Sequence, residues 1–362
     1  MEGDLRPRSH DVRGLQRMSW EKLFSGPIAP ELAGAAVNAA KVCLGAKRGE
    51  RATIICDEAS KLGCAAIAKA LEDEGLEVEP FVIEELGKRP ILRFPAAVTD
   101  QLSISDVSVF WAIPQPGELR ARTQILEIAI EKKLRHAHIM GIRIDHFISG
   151  LNVNYGQIET LQNRLIEMLQ KTREVRVNSP SGTVLMVPME AGQQFVGVNG
   201  IIKPGNWENL PSGQIMCVPS SARGTFVADG SIGEWFGTKY GDISASPVQV
   251  DIEEGKLKDA RCLNQRLARE FLLYVRSNPN GDRIGEFSIG TNIGLADYTG
   301  ITSIDENVPG CHLAFGSPPP PLSAGVGWEA KTKVSLIAKY VDIFFDSSQI
   351  MTGGKFDPVL VK

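Results

Sequence analysis

The first half of this chain alternates short apolar runs with helical stretches, and that rhythm leaves few folds open. RATIICDE (Arg51 to Glu58), LEVEPFVIE, DVSVFWAI (Asp106 to Ile113) and HAHIMGI (His136 to Ile142) read as strands. ELAGAAVNAAKVCLGA, SKLGCAAIAKALEDEG and RTQILEIAIEKK have helical spacing, and the second opens on a capping Ser60 and closes on Gly75. Strands separated by helices pair in parallel, so a doubly wound α/β sheet is predicted. Asp57 and Glu58 close the first strand, where such sheets bind ligands. No G-x-G-x-x-G or Walker sequence follows, so nothing supports nucleotide binding. His146, in GIRIDHF, reads as a structural or loop histidine.

The texture changes near Glu174. GQIETLQNRLIEMLQKTR places Ile158, Leu161, Leu165, Met168 and Leu169 on one helical face and is predicted to link the two halves. EVRVNSPSGTVLMVPM then alternates like a hairpin, and QIMCVPSSARGTFVADGSI and PVQVDIEEGKLKDARC continue as antiparallel strands. A helix in ARCLNQRLAREFLLYVRS and a last strand, VSLIAKYVDIFFD, complete the second half. The expected organisation is an extension over residues 1–30, an α/β domain over 31–172, and an α+β domain with a curved antiparallel sheet over 173–362. A chain of 362 residues is long enough for two cores.

A net charge of −4 gives no electrostatic footprint for nucleic acid or an anionic membrane. No apolar run approaches the roughly 20 residues a membrane helix needs. The first twenty residues are polar and lack the apolar core of a signal peptide. Six scattered cysteines without a CxxC pair read as buried, reduced thiols. A cytoplasmic enzyme is the expectation, with Cys311 set apart because it adjoins the candidate site.

That site is read from Glu286 and His312, on either side of a Gly-rich connection, and Asp342 in the last apolar run. Two carboxylates and an imidazole suit a divalent cation. Five histidines occur in the chain, and His312 is the only one past His146. Pro318 to Pro321 follow the His312 strand and cannot donate backbone hydrogen bonds; they read as a stiff surface loop or as a wall over the pocket.

Several ordered motifs resemble the aminopeptidase T family of two-metal exopeptidases: VNSPSGTVLMV, LPSGQIMCVPSSARGTFVADGSI, GEFSIGTNIG with DENVPGCHLAFG, and YVDIFFDSSQIMTGGKF. In that family five side chains hold two cations: a Glu in PxGE, a Glu opening E-x-G-x-G-T-N, a His in H-x-A-x-G, and the His and Asp of a final H-x-D. The resemblance maps the second Glu on Glu286, the first His on His312 and the Asp on Asp342. It places Gln214 at the PxGE carboxylate and Tyr340 at the H of H-x-D. The ring-cleaving 2,5-dihydroxypyridine dioxygenases are similar over the same blocks, yet hold one Fe²⁺ with two histidines and an aspartate.

A neutral amide and a phenol, which ordinarily loses its proton only near pH ~10, replace neither a carboxylate nor an imidazole as ligands. The expectation is therefore one divalent ion, Zn, Mn or Fe, on Glu286, His312 and Asp342. The leading reading is a metal-dependent hydrolase of an amide or related C–N bond in a small molecule or short peptide. In it Glu286 doubles as general base, Tyr340 donates to a developing oxyanion, and Gln214 binds substrate. The alternatives are an iron ring-cleaving dioxygenase, with Phe287, Tyr298, Phe315 and Trp328 available to a flat ring, or a metal-free binding relative. The family likeness also implies a homodimer.

Overall fold

The computed structural model describes residues 19–362, so the expected extension over 1–30 lies outside the described residues as far as residue 18. Four parallel strands form the first sheet: β1 (Arg51–Cys56), β2 (Glu77–Val82), β3 (Val107–Ala112) and β4 (Arg135–Met140). Their order is β2-β1-β3-β4, with helices Lys61–Asp73, Ala96–Ser103 and Leu119–Glu131 as crossovers. Strands β3 and β4 are buried at every position, as a parallel sheet covered on both faces requires.

The second half contributes β5 (Glu174–Asn178), β6 (Val184–Pro188), β7 (Val196–Val198), β8 (Trp207–Asn209), β9 (Gln214–Cys217), β10 (Arg223–Ala228), β11 (Val248–Glu253) and β12 (Lys256–Arg261). It continues with β13 (Ile284–Gly290), β14 (Gly310–Gly316), β15 (Lys333–Ala338), β16 (Asp342–Phe345), β17 (Ser348–Thr352) and β18 (Lys355–Phe356). Strand β8 returns to the first sheet and pairs in parallel with β4, so its fifth strand comes from the later half of the sequence.

The fold class read from the sequence is the one found, with one refinement. The expected curved sheet is two antiparallel sheets, ordered β12-β11-β10-β6-β5-β16-β17-β18 and β15-β14-β13-β9-β7. They share one core that includes Val177, Phe226, Val250, Phe287, Leu313, Phe315 and Leu336. Helix Tyr155–Leu169 does link the halves: Ile158 packs into the core of the parallel sheet, and Leu161, Leu165 and Leu169 pack into the antiparallel one.

The predicted last strand breaks in two. VSLIA belongs to β15 at the edge of the five-stranded sheet, while DIFF is β16 in the eight-stranded sheet. Tyr340 sits at the break with φ +51°, a left-handed conformation costly for a bulky residue. The two sheets therefore take the two halves of what reads as one apolar run.

Candidate functional site

In the five-stranded sheet, alternation decides which side chains meet. Phe287, Ile289, Cys311, Leu313, Phe315, Val334 and Leu336 face the shared core. Glu286, Ser288, Gln214, His312, Lys333 and Ser335 occupy the intervening positions and so belong to the opposite face. Register brings Ser288 opposite both His312 and Met216, Ala314 opposite Ser335, and Gly316 opposite Lys333.

Glu286 and His312 touch. His312 Nε2 lies 2.9 Å from Glu286 Oε1, and both residues are buried. The other carboxylate oxygen, Oε2, accepts from Lys333 Nζ at 2.7 Å. Burial alone would raise the Glu286 carboxyl, but the Lys333 ammonium and the His312 hydrogen bond outweigh it and hold the group at about 2. An ionised carboxylate only accepts, so His312 carries a proton on Nε2.

Burial pulls the Lys333 ammonium down, and the Glu286 charge more than reverses that. Lys333 keeps 42% of its side chain open to solvent. Half-buried Glu306, on the turn before β14, has its carboxyl pushed up by burial and feels the charges of His312, Glu286 and Lys333.

Gln214 lies on this face. Its Oε1 is 3.1 Å from Ser288 Oγ, whose single proton is shared with the Ile215 carbonyl at 2.9 Å. Part of the face is covered by the chain that follows β14: Leu322, in the helical turn Pro320–Ser323, packs on Met216 and Val218, with Val326 and Trp328 beside them.

Two expected members of the site are elsewhere. Asp342 belongs to the other sheet, opposite Asn178, and its Oδ1 accepts the Gly353 amide at 2.7 Å to close the β16–β17 hairpin. Tyr340 is 53% exposed and packs edge-on against Tyr298, 5.7 Å between centroids, beside a cavity of about 520 Å³. Neither touches Glu286 or His312, so the metal and oxyanion roles expected of Asp342 and Tyr340 are corrected. The cause is the strand break at Tyr340.

What lies beside β14 instead is Lys333-Val334-Ser335, with the same one-residue spacing as H-x-D. Sequence reading missed both residues, although that spacing in the first apolar run after the prolines was available as a signal. Among the described residues, no group of three or more His, Cys, Asp or Glu side chains is placed to hold a metal. The donor chemistry agrees: an ammonium on Glu286, a neutral hydroxyl at Ser335 and a neutral amide at Gln214 do not fit a divalent cation. The expected ion on Glu286, His312 and Asp342 has no common point at which to bind.

Other candidates resolve into structure. Phe287 and Phe315 are core residues, and Cys311 points into the core, away from His312. Asp57 accepts from the Ser60 and Ile113 amides, at 3.0 and 2.7 Å, and from Arg89 at 3.2 Å. Arg89, which also binds Glu84 and Glu118, fills the place where the end of β1 would meet a ligand. His146 is on helix Ile144–Leu151, where burial lowers its pKa.

A family model for 2,5-dihydroxypyridine 5,6-dioxygenase matches residues 156–280, a segment that contains Gln214 and stops short of Glu286. Among solved structures, 2,5-dihydroxypyridine dioxygenase from Pseudomonas putida KT2440 superposes with a TM-score of 0.63 at 16% identity, over 93% of this chain and 100% of that one. Wild-type AmpT from Thermus thermophilus gives 0.60 at 15% identity, over 90% and 98%. The chain has the fold these two enzymes share. The resemblance read from its motifs thus holds for this dioxygenase–aminopeptidase fold as a whole. No curated protein matches the chain in sequence. No helix among the described residues is long and apolar enough to cross a membrane.

Proposed function

We propose that this chain is a metal-independent member of the dioxygenase–aminopeptidase fold that binds a small molecule. The observation that carries this reading is the Lys333 ammonium 2.7 Å from Glu286 Oε2, with His312 on the other oxygen. A covalently attached cation neutralises the buried carboxylate, which is the electrostatic service a divalent ion gives at such a position. A homodimer is carried over from the family likeness and a cytoplasmic setting from the scattered, unpaired cysteines, and the partner is a small molecule.

A second reading is a metal-dependent hydrolase of an amide or related C–N bond, or the iron dioxygenase. The retained Glu286–His312 contact favours it, together with the exposure of Lys333, which leaves that side chain free to withdraw. Elemental analysis of protein purified without a histidine tag decides between the readings. The metal-independent reading expects less than a tenth of an equivalent of Zn, Mn or Fe after incubation with each, no release of amine from leucine amides, and no O₂ uptake with dihydroxypyridines. One equivalent of tightly held metal that His312→Ala abolishes would overturn it.

A further inference from the structure

A cavity of about 590 Å³ lies at the carboxyl ends of β3, β4 and β8, between helix Leu119–Glu131 and the segment Gly300–Ser303. Neither Glu286, His312 nor Lys333 lines it. Open sheets of this kind hold ligands at that end of the strands, and two features suit this cavity to one.

A chain of buried polar groups ends there. Ser108 Oγ is 2.8 Å from His136 Nδ1, and His136 Nε2 is 3.1 Å from His138 Nδ1. His138 is buried, stacks on Phe110 at 5.0 Å, meets Trp207 edge-on and lines the cavity. No described residue bonds its Nε2. Apolar side chains would fill these sheet positions at less desolvation cost, since a polar network in a core stabilises only when every member is satisfied. The outer end of this one opens on the cavity, where water or a ligand group completes it.

The second feature is Arg122, which lines the same cavity. Its Nε is buried without a partner, and its side chain makes no ion pair among the described residues. An unpaired guanidinium nitrogen beside an imidazole nitrogen that faces the cavity is a recognition pair for an anion that carries a second polar group.

We propose that this cavity binds a small aromatic carboxylic acid, its carboxylate on Arg122, a ring hydroxyl on His138 Nε2 and its ring against Trp207 and Met140. The relay lets His138 meet either a donor or an acceptor without net charge. In one arrangement Ser108 donates to His136, His136 Nε2–H donates to His138, and His138 Nε2–H donates to the ligand. In the other, the ligand hydroxyl donates to His138 Nε2, His138 Nδ1–H donates to His136, and His136 Nδ1–H donates to Ser108. Burial pushes the pKa of both rings down, so they stay neutral in either arrangement. The site stands apart from the Glu286 centre, and its occupancy does not depend on whether that centre holds a metal.

Calorimetric titration of the full chain with 4-hydroxybenzoate, benzoate and inorganic phosphate tests this. Saturable binding of 4-hydroxybenzoate is expected, tighter than benzoate, with none of phosphate. Arg122→Gln, on a partly exposed helix position, should weaken it about tenfold or more with an unchanged melting temperature. His138→Phe should erase the preference for the hydroxylated acid while benzoate still binds. No saturable binding of either acid, equal affinity for phosphate, or affinity unchanged in Arg122→Gln would each overturn the proposal and leave the relay a structural network.

Discussion

Lys333 Nζ stands 2.7 Å from Glu286 Oε2, one strand beyond the His312 that holds the other oxygen. The charge that this carboxylate needs is therefore part of the chain. Several measurable consequences come from that placement and from the sites around it.

Replacing Lys333 by Met leaves Glu286 buried with His312 as its one partner. Breaking a fully buried pair costs about 3–5 kcal/mol, and the solvent exposure of Lys333 reduces the expected loss here to about 1–3 kcal/mol. Urea denaturation at neutral pH measures it, and a loss near zero would show the pair to be dispensable.

The same pair sets a pH dependence. The Glu286 carboxyl is held at about 2, below its ordinary value of 4.5. A depressed carboxyl stabilises the folded state above the unfolded value and loses that contribution as pH falls through the folded one. Stability from this group should thus decline between pH 4.5 and about 2. Lys333→Met should flatten the decline, read as the difference between the two proteins' denaturation midpoints at neutral and acid pH.

Restoring metal ligands must follow the structure. Gln214→Glu with Lys333→His and Ser335→Asp is expected to create tight binding of at least one equivalent of Zn or Mn, measured by elemental analysis. Tyr340→His, the change the motif suggests, should leave metal content unchanged because its side chain lies outside the site.

Asp342→Ala removes the acceptor for the Gly353 amide. A hairpin loss of about 0.5–1.5 kcal/mol is expected, with ligand and metal behaviour unaffected. An effect on either would place Asp342 back in the centre.

Arg89→Met strands Asp57 and Glu118, whose side chains are 3% and 5% exposed. Losing the shared guanidinium should cost about 3–5 kcal/mol, readable as a lower thermal midpoint.

Much of this was open to a reader of the sequence. Short apolar runs between amphipathic helices fixed the parallel sheet, because each pattern repeats with the period of its own backbone geometry. Glu286 and His312 were legible too: they flank a Gly-rich connection, and antiparallel pairing of adjacent strands brings such residues together. Strand β8 was not, since a three-residue strand carries almost no periodic signal.

Sequence alone therefore determined the class of fold and one pair of the central residues. Which third side chain completed that pair was decided only in three dimensions. VSLIAKYVDIFFD reads as one strand, and the turn at Tyr340 divides it between two sheets, sending Asp342 away and leaving Lys333 beside β14. The reason is physical: alternation along a strand records which face a residue takes, but not which sheet receives the strand, and that choice rests on packing between segments distant in the chain.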